Sequence, residues 1–132
     1  MQPLINELVL FFEKREDLLL AFLFGSQAKN RAGKESDYDI AVWPKTQLSR
    51  EAVNQLWQEL ESLLKTNVDL VLLPQARPTV AWSALRGKRL LIRDFKLYLN
   101  LFVNVSREAE DIQDFLIDYW HLKKRYAAAW HH

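Results

Sequence analysis

The numbers of residues that separate the apolar segments of this chain restrict its fold more than any other feature of the sequence. A first run, Leu18–Phe24, is separated from a second, residues 40–43, by a short polar segment. Within this segment only ten residues lie between Ser26 and Asp37, fewer than a parallel crossover connection generally requires. The sequence therefore predicts that the first two runs are antiparallel, neighbouring strands.

A third apolar run, residues 68–73, follows a segment of helical periodicity that Ser49 can cap. A strand, a helix and a strand in this order predict a right-handed parallel crossover. The second and third strands then start where the first strand ends, at an edge of the sheet that is formed by the ends of strands. Four residues are expected to meet at this edge: Ser26, Asp37, Asp39 and Asp69.

The rest of the chain predicts helices around the sheet. Apolar spacing predicts helices at residues 3–15 and 78–86, and Lys88–Ile92 reads as a fourth strand at an edge. Residues 95–105 alternate as a strand would, but polar residues recur every three to four positions, which favours a long C-terminal helix over about residues 95–128, broken near Ser106. We predict an α/β (α+β) fold: one domain, 1–132, with a mixed sheet of about four strands in a core at about 18–92.

Composition excludes several classes of function. The 132 residues carry a net charge of +1 and no Cys, so we expect no disulfide, no thiolate metal site and no broad basic surface for nucleic acid. No apolar stretch reaches the roughly 18 residues of a membrane span, and no signal peptide is expected. The expected location is the cytoplasm.

The acidic residues at the predicted edge suit a metal ion. Asp37 and Asp39 are two positions apart, so in a strand their carboxylates share one face, about 6.6 Å apart along the strand. With Asp69 they form a cluster of hard oxygen ligands, which favours Mg²⁺. Two such ions can stabilise both oxygens of an in-line displacement at phosphorus. Nucleotidyl transfer fits this arrangement.

The segment between the two strands suits a phosphate chain. Gly25 allows close approach to the backbone, Ser26 offers a hydroxyl and an N–H, and Lys29 and Arg31 supply positive charge. Each feature alone is commonplace, since Asp-x-Asp is usually a solvated strand edge and Gly-Ser a turn. The acid at position 69, inside an apolar run, is costly to bury without a partner. The combination favours a metal-nucleotide site.

Phe24-Gly25-Ser26, ten intervening residues and Asp37-Tyr38-Asp39 resemble the signature of the polymerase-beta-like nucleotidyltransferases. Over about residues 18–73 the chain is similar to the minimal nucleotidyltransferases that serve as antitoxins of HEPN-domain toxins. The resemblance implies a nucleotidyltransferase fold. It also implies that Gly25 and Ser26 contact ATP and that three residues form the catalytic, Mg²⁺-binding triad: Asp37, Asp39 and Asp69.

The resemblance further implies that the protein transfers AMP from ATP to a tyrosine of a HEPN-type ribonuclease toxin, and that it also neutralises this toxin by forming a hetero-oligomer. Direct binding of nucleic acid or membrane is not expected. Two alternatives stay open on the sequence: a nucleotidyltransferase that modifies a small molecule of the aminoglycoside type, and a non-catalytic antitoxin that acts by binding alone.

Overall fold

The sheet observed in the computed structural model, which describes residues 2–25 and 38–106, has four strands. In chain order the elements are α1 (Gln2–Glu13), β1 (Leu18–Phe24), β2 (Tyr38–Pro44), α2 (Arg50–Leu64), β3 (Val68–Leu72), a short 3₁₀ turn (Leu73–Gln75), α3 (Pro78–Leu85), β4 (Lys88–Ile92) and α4 (Phe95–Val105).

The strand order β3-β2-β1-β4 confirms the topology predicted from the connection lengths. β1 is antiparallel to β2 and to β4, and β2 is parallel to β3. The crossover through α2 therefore brings the starts of β2 and β3 to the edge where β1 ends. β4 is an edge strand, as its sequence predicted.

Alternate residues of the strands pack against helices on the two faces of the sheet. Ala21 and Leu23 of β1 share one buried cluster with α1 and α2, whereas Phe22 and Phe24 share a second cluster with α3 and α4. Because successive strand residues point to opposite faces, the core consists of two clusters, and the fold has three layers with the sheet between two layers of helices. The main helical contributors are Leu8, Phe12, Leu56 and Leu60 on the first face, and Ala81, Ala84, Leu85, Tyr98 and Phe102 on the second.

Several element boundaries differ from those predicted. α1 ends at Glu13, two residues early, and β2 runs from Tyr38 to Pro44 instead of over residues 40–43. β3 stops at Leu72, since Leu73 begins the 3₁₀ turn that contains a proline.

The ambiguous segment after residue 95 is a helix, as its polar spacing indicated. Asp94 caps α4, its Oδ1 accepting a hydrogen bond from the backbone N–H of Leu97 at 3.0 Å. The predicted continuation to residue 128 lies outside the described residues. Within the described part of the chain, no helix combines the length and apolar character that a membrane span requires.

α2 is fixed at its start, its middle and its end. Ser49 Oγ accepts from the N–H of Ala52 at 3.1 Å, and Lys65 ends the helix in a left-handed conformation, with φ of 56°.

Arg15, which follows α1, bonds to Glu59 of α2 and to Asp17. Burial alone would lower the pKa of Arg15, but the hydrogen bonds and charges of these two carboxylates outweigh it and raise the pKa. The bond between Arg15 and Glu59 thus links α2 to the segment that follows α1.

Candidate active site

Two of the predicted acids lie side by side on neighbouring strands. Asp39 of β2 is in direct register with Asp69 of β3, and neighbouring strands are about 4.8 Å apart. Residues in register on adjacent strands point to the same face, here the face that carries α3 and α4. Asp39 is half-buried and Asp69 is exposed, so their carboxylates line an edge of the sheet that a ligand can reach.

Gly25 lies against the carboxylate of Asp39. Phe24, the last residue of β1, is in register with Asp39, and Gly25 then turns with φ of 81°. A Cβ atom placed on Gly25 would be 2.0 Å from Oδ2 of Asp39, far inside any allowed contact. The Asp39 side chain thus occupies the space that a side chain at position 25 would need, so the turn and the carboxylate form one unit.

The structure brings together three of the residues predicted for the site: Gly25, Asp39 and Asp69. The other four, Ser26, Lys29, Arg31 and Asp37, lie outside the described residues, and their assignment remains a prediction. Among the residues described, no group of three or more potential metal ligands occurs. The described part of the site is therefore a pair of carboxylates beside a glycine turn.

This pair fits the metal ion that the sequence predicted. Carboxylate oxygens are hard ligands of the kind that Mg²⁺ prefers, and Mg²⁺ in proteins is often held by one or two carboxylates together with substrate phosphates. Asp39 and Asp69 can supply those two carboxylates from one face of the sheet. Because Gly25 has no side chain, its backbone turn lies directly against the Asp39 carboxylate, next to the place that a metal-bound phosphate would take.

One sequence argument about Asp69 was wrong. Its place inside an apolar run suggested a carboxylate that is costly to bury, but the side chain is exposed. The reason is its position: β3 is an edge strand, and Asp69 is only its second residue. Exposure leaves the carboxylate able to reach a ligand without a burial cost.

Sequence reasoning missed two residues that contact the strand carrying Asp69. Trp57 and Glu61 of α2 both bond to the backbone of Val68, the residue before Asp69. Their spacing of four residues places them on one side of α2, but periodicity alone does not distinguish a packing contact from a hydrogen bond.

Comparison with known proteins places the chain in a family. The family model described as polymerase beta, nucleotidyltransferase matches residues 6–96, more than half of the chain and all of β1, β2 and β3. No curated protein matches the sequence at a significant level.

Solved structures with the same fold come from toxin–antitoxin complexes. A chain in the crystal structure of a toxin–antitoxin with AMP-PNP is 26% identical, with a TM-score of 0.62, over 96% of this chain and 93% of that one. A chain of the toxin–antitoxin MntA–HepT is also 26% identical, with a TM-score of 0.61 and coverage of 98% and 95%.

A third match is a chain in the structure of a tri-AMPylated HEPN toxin from Shewanella oneidensis in complex with an MNT antitoxin, at 25% identity and a TM-score of 0.61, with coverage of 97% and 93%. These structures share the fold over nearly the full length of both chains. Together with the family model and the paired carboxylates at the edge of the sheet, they support one assignment. This chain belongs to the polymerase beta nucleotidyltransferase family.

Proposed function

We propose that this protein is an antitoxin that transfers AMP from ATP to a tyrosine of a HEPN-type ribonuclease toxin and also binds that toxin in a hetero-oligomer. The observation that carries the proposal is the register of Asp39 with Asp69 beside Gly25, in a chain of the nucleotidyltransferase family. Related complexes containing AMP-PNP and an AMPylated HEPN toxin support the nucleotide and the acceptor.

The residues of the site fall into two groups: one would contact the nucleotide and the other would bind metal. Gly25 and Ser26 would contact the triphosphate through the turn after β1, and Lys29 and Arg31 would balance its negative charge. The metal ligands would be the three acids Asp37, Asp39 and Asp69. When bound, Mg²⁺ would supply charge stabilisation at the reacting phosphate, and two ions are expected.

The transfer itself is a substitution at the α-phosphorus of ATP. The tyrosine oxygen forms a bond to this phosphorus, the bond between the α-phosphorus and the bridging oxygen breaks, and pyrophosphate leaves. The phenolic proton passes to a base as the bond forms. Because the three acids are assigned to the metal, solvent water at this exposed edge can accept the proton. The product is a tyrosine that carries AMP through a phosphodiester.

The proposed substrates support a cytoplasmic location. The reaction consumes ATP and needs Mg²⁺, and the chain contains no Cys, as is common in reducing compartments. We assign the protein to the cytoplasm, with the toxin as its macromolecular partner and without direct contact to nucleic acid or membrane.

Co-expression tests the proposal. The protein is produced together with the HEPN-type toxin proposed as its partner, and the intact mass of this partner is measured. We expect a mass increase by whole AMP groups, and no increase when Asp37→Ala and Asp39→Ala are combined. Digestion and fragmentation should then locate the added groups on tyrosine.

Two outcomes would contradict the proposal. A partner that the wild-type protein leaves unmodified, and that the wild type and the double variant neutralise equally well, would support an antitoxin that acts by binding alone. An unmodified partner, combined with adenylylation of an added aminoglycoside, would support an enzyme that modifies small molecules.

A further inference from the structure

The backbone of Val68, directly before Asp69, is held by two side chains of α2. The indole N–H of Trp57 donates to the carbonyl oxygen of Val68 at 2.5 Å, and the backbone N–H of Val68 donates to Oε2 of Glu61 at 3.0 Å. Both backbone polar groups of one residue are thus satisfied by two side chains of the same helix. We call this pair of side chains, Trp57 and Glu61, the α2 brace.

The brace covers the side of β3 that has no neighbouring strand. The carbonyl of Asn67 accepts from the N–H of Tyr38 in β2, so Asn67 faces β2. Because backbone groups of successive strand residues point to opposite sides, those of Val68 point away from β2. β3 is an edge strand, and the brace therefore supplies the partners that another strand would supply inside a sheet.

The brace acts on the peptide group that carries Asp69. The carbonyl of Val68 and the N–H of Asp69 belong to one planar peptide unit, so the bond from Trp57 fixes the orientation of the unit that leads into Asp69. The side chain of Val68 is 2% exposed and anchors this strand in the core. By contrast, Asp69 is exposed, and its own side chain adds little packing to hold it in place.

The position of Asp69 matters because a metal site depends on the groups that orient its ligands. Loss of such supporting groups typically weakens metal binding by 10- to 100-fold. We propose that Trp57 and Glu61 are positioning residues that hold Asp69 in register with Asp39 for binding a divalent cation. This inference rests on the proposed function of the site, and it assigns a role to two residues that touch neither metal nor nucleotide.

Direct binding of Mn²⁺ to the full-length protein tests the inference without relying on activity. Titrations followed by water-proton relaxation give the Kd for Mn²⁺ of each variant, and circular dichroism checks that each is folded. We expect Glu61→Ala to raise the Kd about tenfold. Glu61→Gln keeps an oxygen that can accept from Val68, so it should restore affinity to within about threefold of the wild type.

A second variant makes the test independent of Glu61. Trp57→Phe keeps an aromatic ring in the same place and removes only the N–H donor, and it should raise the Kd for Mn²⁺ by about fivefold or more. The matched control is Glu59→Ala, a residue of the same helix whose carboxylate contacts Arg15 instead of Val68. It should leave the Kd unchanged although it removes an ion pair.

The outcomes separate this inference from the proposed function. If folded Glu61→Ala and Trp57→Phe bind Mn²⁺ with wild-type affinity, the inference is overturned but the proposed AMP transfer is not. The same holds if Glu59→Ala loses as much affinity for Mn²⁺ as those two variants. Wild-type protein that binds Mn²⁺ but modifies no partner would contradict only the proposed AMP transfer. Wild-type protein that binds no Mn²⁺ would contradict both.

Discussion

Replacing Asp39 with Asn should lower the rate of nucleotidyl transfer about a thousandfold, because a metal ligand at the reacting phosphate contributes several kcal/mol to transition-state stabilisation. Asn has nearly the same shape as Asp, but its neutral amide is a far weaker ligand for Mg²⁺ than a carboxylate. Asp39 is half-buried at the end of the sheet, so the free energy of unfolding should change by no more than about 1 kcal/mol. Single-turnover transfer rates and urea denaturation measure the two effects separately.

The matched control for this variant is Asp94→Asn. Asp94 is also half-buried, and it caps α4 after β4, near the start of β1 and away from Asp39. Asn is an equally good N-cap, so this variant loses the same charge and should keep both stability and transfer. Retention of more than about a tenth of the wild-type rate in Asp39→Asn would show that the carboxylate is not part of the reaction centre.

Gly25→Ala should reduce transfer by about a hundredfold or more, because a displacement of about 1 Å in a reacting site can have an effect of this size. The added Cβ would fall 2.0 Å from Oδ2 of Asp39, so the carboxylate has to move. A φ of 81° is also unfavourable for Ala, by roughly 1–2 kcal/mol. Transfer rates per folded molecule, with thermal denaturation alongside, measure both consequences.

A second substitution at the same position separates the two causes. Asn tolerates the left-handed conformation better than Ala, yet it carries the same Cβ. Gly25→Asn should therefore be more stable than Gly25→Ala but equally poor in transfer. As a control, Phe12→Leu weakens the buried core beside α1, at the opposite edge from Asp39, and should keep the wild-type rate per folded molecule. Normal transfer in Gly25→Asn would contradict a role for this contact.

The arrangement of the strands followed from the sequence because connection length limits topology. The short connection after Ser26 required an antiparallel pair, and the longer one through α2 permitted a parallel crossover. Together these two constraints place Asp39 and Asp69 at one edge of the sheet, as observed. The helix at Phe95–Val105 was also predictable, since its polar residues follow a helical period despite the alternation of its apolar ones.

Other features of the site depend on contacts between distant residues, which local patterns do not encode. Asp69 is exposed because β3 is the outermost strand of the sheet. The sequence does not reveal this position, since an apolar segment looks the same whether it forms an outer or a central strand. The hydrogen bond from Trp57 to Val68 needs the crossing of α2 over β3. The contact between Gly25 and Asp39 needs both the positive φ of Gly25 and the register of β1 with β2.

The central claim is that this edge of the sheet transfers a nucleotidyl group. This is tested by following label from ATP to the proposed HEPN-domain partner in the presence of Mg²⁺, with ATP labelled in parallel reactions at its α- or its γ-phosphate. We expect the partner to gain the α-label but not the γ-label, and chelation of Mg²⁺ or Asp39→Asn to abolish the gain. Transfer of the γ-label, or α-labelling that persists in Asp39→Asn, would contradict it.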